Sequence, residues 1–294
     1  MSLRRRAFLG RVAGFGGLCG VGTAGYTWGV EPHWPEVVRR ELPVEALPKE
    51  LDGAVLVQVS DLHVGPEVDD DYLVSCLRSV QDLRPDITVV TGDILTFKAG
   101  RGGAQFDQLR GVLEHLPHGR LETFAVLGNH DYGRNWSDPR VASRVTSELT
   151  RCGVRVLRNE AALVSGLDIV GVDDLWARRA DPVHALSLRQ GQAAIVLCHN
   201  PDALDELDWG GYQGWILAGH THGGQCRLPF CPPPILPVKN RRYAAGEVRL
   251  TDGRRLYVNR GLGHLERVRF NVRPEVTAFT LRREMPLDRA RTAA

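Results

Sequence analysis

The sequence lacks a large excess of charge of either sign. Its 37 lysines and arginines are nearly balanced by 35 aspartates and glutamates, which leaves a formal net charge of +2. A protein dedicated to binding nucleic acid would carry a strong basic excess on one face. We therefore expect no nucleic-acid partner.

Cysteine is scarce, and no two cysteines have the CxxC spacing of zinc or redox motifs. Six cysteines in 294 residues do not make a disulfide framework. Cys226 and Cys231 are close enough in sequence to pair in an oxidising compartment. The alternative, that both are unpaired small packing residues, stays open.

The first thirty residues contain no acidic side chain. Arg5 and Arg6 precede Ala-Phe-Leu and a glycine-rich apolar stretch, a pattern typical of a bacterial twin-arginine export signal. Residues 1–30 are therefore predicted to be such a signal or an N-terminal membrane anchor. Eight glycines between Gly10 and Gly29 disfavour a membrane-spanning helix, so export by the twin-arginine machinery is preferred. The body would then lie in the periplasm or another extracytoplasmic space, or on the outer face of the cytoplasmic membrane.

The rest of the chain is predicted to contain a proline-rich linker at residues 31–50, a domain at 51–283 and a polar tail at 284–294. Within the domain, short apolar runs alternate with helical stretches, which indicates an α/β fold with buried central strands. The runs span 54–60, 86–92, 122–128, 167–172, 193–198 and 214–219, and the helical stretches span 69–83, 104–116 and 138–152. Three further β-like segments follow residue 225.

Polar residues with metal-ligand chemistry follow five of the six apolar runs. They are Asp61, His63, Asp93, Asn129, His199, His220 and His222. Each alone is explained by a turn or a helix cap. Together they would meet at one rim, because ligands bind outside the carboxyl ends of strands in such sheets. Carboxylate, amide and imidazole donors suit Mn, Fe, Zn or similar ions, and seven donors suit two ions that share a carboxylate.

The ordered set Asp-x-His, Gly-Asp, Gly-Asn-His-Asp, His and Gly-His-x-His resembles the calcineurin-like metallophosphoesterases. Residues 260–281, RGLGHLERVRFNVRPEVTAFTL, resemble the C-terminal part of a bacterial branch of this family with a twin-arginine leader or N-terminal anchor. The resemblance implies a four-layer α/β/β/α sandwich with two mixed sheets. It also implies two divalent or trivalent metal ions. Asp61, His63 and His222 would bind one ion, Asn129, His199 and His220 the other, and Asp93 would bridge them.

The same resemblance implies hydrolysis of phosphoester or pyrophosphate bonds by a metal-activated hydroxide. His130, beside the ligand Asn129, would protonate the leaving group or stabilise the transition state, and Asp131 would orient and charge its imidazole. Two non-catalytic alternatives are a metal-stabilised scaffold and a metal-storage protein of the cell envelope.

The substrate is less well defined by the sequence. The branch implies a phosphodiesterase or pyrophosphatase acting on a lipid-linked or envelope substrate; a phosphomonoesterase is an alternative. Hydrolysis of UDP-2,3-diacylglucosamine in lipid A metabolism is another, but that cytoplasmic nucleotide sugar conflicts with the export signal. The apolar proline-rich loop at 227–238 either caps a pocket, touches a membrane or packs on the domain. Arg260 and Arg267 either bind a second anionic group of the substrate or belong to a solvated face.

Overall fold

Two six-stranded mixed β-sheets form the centre of the protein, whose computed structural model describes residues 22–284. The strands are β1 Glu36–Glu45, β2 Val55–Val59, β3 Ile87–Thr91, β4 Glu122–Val126, β5 Arg155–Val156, β6 Glu160–Val164, β7 Leu167–Val172, β8 Ala193–Cys198, β9 Trp215–Ala218, β10 Gly246–Arg249, β11 Arg255–Val258 and β12 Glu275–Glu284. The first sheet has the order β1-β12-β2-β3-β4-β5, and the second has the order β10-β11-β9-β8-β7-β6. Strands β2 to β5 run parallel in the first sheet, as do β7, β8, β9 and β11 in the second.

The central strands are buried on both faces, which explains why they are continuous apolar runs. Alternate side chains of one strand face different layers. Leu56 of β2 packs in the core between the two sheets together with Ile195 of β8, whereas Val57 packs in the core beneath helices.

Helices cover the outer face of each sheet. They are α1 Asp70–Gln81, α2 Ala104–Leu113, α3 Pro139–Arg151, α4 Pro182–Ser187 and α5 Ala203–Glu206. The first three pack on the first sheet and the last two on the second. Asp69 caps α1 by accepting a hydrogen bond from Tyr72 N–H, and Asp138 caps α3, where Pro139 takes the first position. The predicted α/β/β/α sandwich is confirmed.

The predicted linker at residues 31–50 is wrong. Residues Glu36–Glu45 form β1, which pairs in parallel with β12 over its whole length. Pro43 is tolerated there because β1 is an edge strand, where a missing backbone donor can face away from the sheet. The predicted tail also begins one residue too early, since Glu284 still belongs to β12 and bonds to Arg255.

Two predictions fall partly outside the described residues. The export signal at 1–30 is described only from Gly22 onward, and the tail is described only at Glu284. Between residues 22 and 284, no helix combines the length and the apolar character needed to cross a membrane.

Candidate metal centre

The seven predicted metal ligands converge at the carboxyl ends of five strands, and all seven are buried. Asp61 and His63 follow β2, Asp93 follows β3, Asn129 follows β4, His199 follows β8, and His220 and His222 follow β9. The structure therefore brings together every residue that the sequence placed at this rim.

Asp61, His63 and His222 form a first cluster that could hold a metal ion. The Nε2 atoms of His63 and His222 are 3.0 Å apart, and His222 Nε2 lies 3.4 Å from Asp61 Oδ1. The two imidazoles stack with 4.9 Å between ring centroids. Three potential ligand atoms thus point to one position.

Asp93, His199 and His220 form a second cluster of the same kind. His220 Nδ1 lies 3.3 Å from His199 Nε2. Asp93 Oδ2 lies 3.2 Å from His199 Nε2 and 3.6 Å from His63 Nε2, a ligand atom of the first cluster. Asp93 is therefore located between the clusters, as a bridging carboxylate would be.

Asn129 provides an independent test of whether these residues fit metal ions. Its side-chain oxygen and nitrogen are both buried, and neither has a hydrogen-bond partner. A buried amide without partners is costly, and a metal–oxygen bond would satisfy the Asn129 oxygen. The donor set around it contains oxygen and imidazole nitrogen and no thiolate, which fits Mn, Fe or Zn.

Hydrogen bonds hold three of the histidines with one ring nitrogen directed toward the clusters. His199 Nδ1 donates to the Thr91 carbonyl at 2.7 Å, and His220 Nε2 donates to the Pro237 carbonyl at 3.0 Å. His63 Nδ1 lies 2.9 Å from the hydroxyl of Thr96. Such bonds fix the tautomer and leave the other nitrogen available to a metal.

Arg269 packs behind the fourth histidine, a contact that no sequence motif indicated. Its guanidinium is fully buried, and Nη2 lies 2.7 Å from the Gly263 carbonyl and 3.4 Å from His222 Nδ1. No motif distinguishes it from its exposed neighbour Arg267. Only the packed structure separates the two.

Five of the seven residues adopt left-handed backbone conformations. The φ angles are 51° at Asp61, 49° at His63, 50° at Asp93, 73° at His220 and 50° at His222. Each such conformation costs a non-glycine residue on the order of 1–3 kcal/mol. Strain of this kind is concentrated at functional sites, where surrounding packing maintains it.

Two glycines allow the strand ends to approach each other closely. A Cβ atom on Gly219 would lie 2.0 Å from Ser60 Oγ, and one on Gly128 would lie 2.3 Å from Asp93 Oδ1. Any larger residue at either position would displace the carboxylate-bearing turns.

Burial shifts the pKa values of several ligand side chains. It raises the pKa of the Asp61 carboxyl to about 7, and it lowers the pKa of His63 and of His220 to about 3. Burial alone would also lower the pKa of His199, but the nearby Asp93 carboxylate raises it to about 10. The neutral imidazoles of His63 and His220 are in the form that binds metal, and a cation would offset the cost of charge on Asp61.

His130 lies at the edge of the centre and is half-buried, unlike the four histidines of the two clusters. Its backbone N–H donates to Asp93 Oδ1 at 2.9 Å. Its ring packs edge-on against His63, with 5.0 Å between centroids. The ring nitrogens make no hydrogen bond within residues 22–284, so they remain free to reach a bound molecule.

The predicted catalytic role of Asp131 is wrong. Both of its carboxylate oxygens are used by the backbone, since Oδ1 accepts from the N–H groups of Ile94 and Leu95 and Oδ2 accepts from Gly128 N–H. None of its bonds reaches the His130 imidazole. Asp131 instead joins the turn that follows Asp93 to the turn that carries Asn129.

The predicted substrate-binding role of Arg260 is also contradicted. Its guanidinium forms ion pairs with Glu36 and Glu275, which join the loop after β11 to β1 and β12. Arg267 is exposed, and within the described chain it contacts none of the seven ligands. Cys226 and Cys231, for which a disulfide was one of two alternatives, are both free.

Comparison with known proteins agrees with this geometry. The sequence model for calcineurin-like phosphoesterases matches residues 54–224. A protein of Bacillus subtilis (strain 168), "Uncharacterized metallophosphoesterase YkuE", is 33% identical over 295 residues, which cover 95% of this chain and 98% of the relative.

Two further bacterial relatives have named activities. Phosphodiesterase YaeI of Escherichia coli (strain K12) is 31% identical over 267 residues, covering 87% of this chain and 92% of the relative. UDP-2,3-diacylglucosamine pyrophosphatase LpxG of Chlamydia trachomatis serovar D is 29% identical over 301 residues, which cover 84% of this chain and 89% of the relative. The protein therefore belongs to the calcineurin-like phosphoesterase family and is a metal-dependent phosphoester hydrolase.

Proposed function

We propose that the protein is a two-metal phosphodiesterase or pyrophosphatase that acts on a lipid-linked substrate of the cell envelope. The observation that carries the proposal is the position of Asp93 between the two clusters, with half-buried His130 directly beside them. This arrangement can hold two cations and leave one titratable group available to the substrate.

The metal ions would be held by the residues of the two clusters. Asp61, His63 and His222 would bind one ion, Asn129, His199 and His220 would bind the other, and Asp93 would bind both. Two bound ions of the Mn, Fe or Zn type supply an activated water and neutralise charge on the phosphoryl oxygens.

His130 would donate a proton to the leaving oxygen. Its backbone N–H bond to Asp93 fixes its position relative to the bridging carboxylate, and its half-buried ring, whose nitrogens make no hydrogen bond within residues 22–284, can approach a substrate. Proton donation of this kind contributes about 10²–10⁴-fold to a rate. Asp131 contributes by holding the loop, not by charging the imidazole.

A phosphodiester is favoured over a phosphomonoester by the arginines around the centre. A monoester dianion carries more charge than a diester, and guanidinium groups are the usual additional ligands of such phosphates. Arg260 and Arg269, the arginines beside the centre, are committed to carboxylates and backbone carbonyls. The activities named for YaeI and LpxG support the same choice.

The activity is tested by assaying the metal-loaded protein on bis(p-nitrophenyl) phosphate and p-nitrophenyl phosphate in parallel. We expect the diester to be cleaved with the higher kcat/KM. His130→Ala should lower kcat by about 10²–10⁴-fold with unchanged metal content, and the surface variant His118→Ala serves as the matched control. No turnover of either substrate with both metals bound would support the scaffold alternative, and metal loss in His130→Ala would contradict its assigned role.

The cellular location is a second part of the proposal. The twin-arginine pattern at Arg5 and Arg6 supports export, and it lies outside the described residues. We expect the folded domain in the periplasmic or extracytoplasmic fraction, or on the outer face of the cytoplasmic membrane. Replacing Arg5 and Arg6 by lysine should retain the protein in the cytoplasm; an unchanged distribution would contradict export by this route.

Contact with a membrane surface is supported by the apolar loop, residues 227–238. Phe230 is fully exposed, and Leu228 and Ile235 are 61% and 78% exposed. Pro237 belongs to this loop, and its carbonyl accepts the bond from His220, so the loop lies next to the metal centre. An exposed apolar loop at this position could insert into the interface of a bilayer and bring the centre to lipid headgroups.

A second segment with an exposed apolar side chain, which contains Thr27 and Trp28, lies beside this loop. Arg269 N–H donates to the Thr27 carbonyl, and Arg227 N–H donates to the Phe270 carbonyl, so residues 269–270 lie between the two segments. Trp28, which follows Thr27, is 60% exposed.

We expect the protein to sediment with phosphatidylglycerol-containing vesicles and the double variant Phe230→Ser, Ile235→Ser to bind them less well. Leu163→Ser, an exposed position on β6, is the control; equal binding by all three proteins would contradict membrane contact through the loop.

A further inference from the structure

Two tryptophans form a continuous aromatic surface that leads away from the metal centre. The ring of Trp176 lies edge-on to His220 with 4.5 Å between centroids, and Trp136 packs against Trp176 at 4.6 Å. Trp136 also lies 6.4 Å from the ring of His130. This pair, which we call the tryptophan shelf, touches a metal-cluster residue at one end and the expected proton donor at the other.

Neither tryptophan was assigned a function from the sequence. Trp176 lies in the turn after β7, the strand end at which no metal ligand was predicted. That turn is fixed by Asp174, whose carboxylate accepts from Ala177 N–H, and by Asp173, which accepts from the Tyr132 hydroxyl. The latter bond joins the Trp176 turn to the segment that carries His130.

Trp136 is presented by a strained turn. Asn135 and Trp136 have φ angles of 57° and 54°, two successive left-handed residues without glycine. The turn is braced by Trp136 N–H donating to the Gly133 carbonyl and Asp138 N–H donating to the Tyr132 carbonyl. The indole is 37% exposed, so one part of it packs on Trp176 and the rest is open to solvent.

The shelf lines an open groove together with several apolar residues. The other apolar residues that line it are Leu175, Ala177, Ala180 and Leu207. The three charged residues that line the groove are exposed: Lys239 is paired with Glu206, and the third is Arg178. The groove therefore suits an uncharged group with a flat apolar face better than a second phosphate.

We propose that the tryptophan shelf is the subsite for the leaving group of the phosphodiester, and that it selects a leaving group with a planar ring. The inference rests on the proposed function, because the phosphoryl group must lie at the metal clusters for its leaving group to reach Trp136. His130 stands between the clusters and the shelf, where a proton donor to that leaving group would be needed. Trp136 is then a specificity-determining residue of the site.

Titration calorimetry with phosphonates tests this subsite without requiring turnover. Phenylphosphonate and methylphosphonate carry the same anionic head, and only the first carries a ring. We expect the metal-loaded wild type to bind phenylphosphonate about tenfold more tightly. Trp136→Ala should abolish this difference and leave methylphosphonate affinity unchanged, Trp136→Phe should retain most of it, and Leu163→Ala should match the wild type.

The outcomes separate the subsite from the function on which it rests. Equal affinity of the wild type for both phosphonates, or an unchanged phenyl preference in Trp136→Ala, would overturn the subsite alone. Failure of both phosphonates to bind a wild type that cleaves bis(p-nitrophenyl) phosphate would overturn the subsite alone, whereas no cleavage of that diester with both metals bound would overturn the proposed function and the subsite with it. Octylphosphonate distinguishes a ring from a chain: tighter binding than phenylphosphonate, lost in Trp136→Ala, would overturn the selection of a planar ring.

Discussion

The two metal clusters differ in what supports their histidines. In the first cluster the support comes from side chains, the Thr96 hydroxyl behind His63 and the Arg269 guanidinium behind His222. In the second cluster it comes from backbone carbonyls, those of Thr91 and Pro237. A side-chain support can be removed by one substitution, whereas a carbonyl moves only with its turn. We therefore expect single substitutions to change the metal affinity of the first cluster more easily than that of the second.

Asp93→Ala should have the largest effect because it removes the residue that both clusters share. We expect loss of both ions and a fall in kcat/KM of at least about 10²–10³-fold. Metal analysis of the purified variant and diester assays would check this. Retention of one ion at wild-type affinity would show that one cluster does not depend on Asp93.

Asp131→Ala should weaken the second cluster by releasing its turns. The change leaves three buried N–H groups without an acceptor, those of Ile94, Leu95 and Gly128, at a cost of about 1–3 kcal/mol each. We expect a lower Tm and weaker binding of the ion at Asn129, with the first site less affected. If turnover fell while Tm and metal content stayed the same, the result would support the catalytic role of Asp131 that was predicted from the sequence and contradict the structural role assigned here.

Thr96→Val should act on the first cluster alone. Loss of the hydroxyl behind His63 is expected to lower the affinity for the ion of the first cluster by about 10–100-fold, the usual effect of removing a hydrogen-bond partner of a metal ligand. Competition of each metal with a chelator would measure the two affinities separately.

Thr88→Val is the matched control for that variant. Thr88 is also buried, and its hydroxyl has no hydrogen-bond partner. The same change of side chain should therefore leave both metal affinities unaltered. If both variants lost metal affinity equally, the effect would be due to packing, and the proposed difference in how the two clusters are supported would be contradicted.

Glu148→Gln should have the smallest effect on the centre and separates stability from metal binding. The hydrogen bond from Arg110 lowers the pKa of Glu148, and Arg144 adds a second ion pair. A carboxyl with a lowered folded pKa adds stability above its unfolded pKa, about 4.3, and this stability is lost as the pH falls through the folded pKa. We expect a lower Tm than wild type at pH 7, a difference that shrinks below about pH 4, and unchanged metal content. A pH-independent difference would contradict the ion-pair account.

Much of the fold followed from patterns that depend on local chemistry. The apolar runs predicted β2, β3, β4, β7, β8 and β9, and the helical stretches predicted from residues 69 and 138 begin at the observed caps Asp69 and Asp138. β1 was missed because Pro43 and the prolines on either side of the strand indicate a linker unless the strand is known to lie at an edge. The two-residue β5 is too short to produce a periodic pattern.

The sequence predicted which residues form the candidate site, but not which hydrogen bonds and ion pairs hold the loops of the site together. Ligand types at strand ends identified all seven rim residues. The partners of Asp131, Arg260 and Arg269 depend on which loops pack together, and no spacing in the sequence encodes that. Trp136 and Trp176 were missed for a related reason, since an isolated tryptophan in a turn resembles any other surface aromatic.

The position of β12 has a consequence for how the protein is made. β12 lies between β1 and β2, so β1 has no neighbour in its sheet until the last described strand has been synthesised. Pairing between the two ends of a chain is slow to form, because the intervening loop must first be closed. A chain that stopped on the ribosome before residue 275 would present β1 unpaired and β2 with a bare edge, both open to association with other chains. The domain is thus one that completes its folding only after translation has passed its final strand.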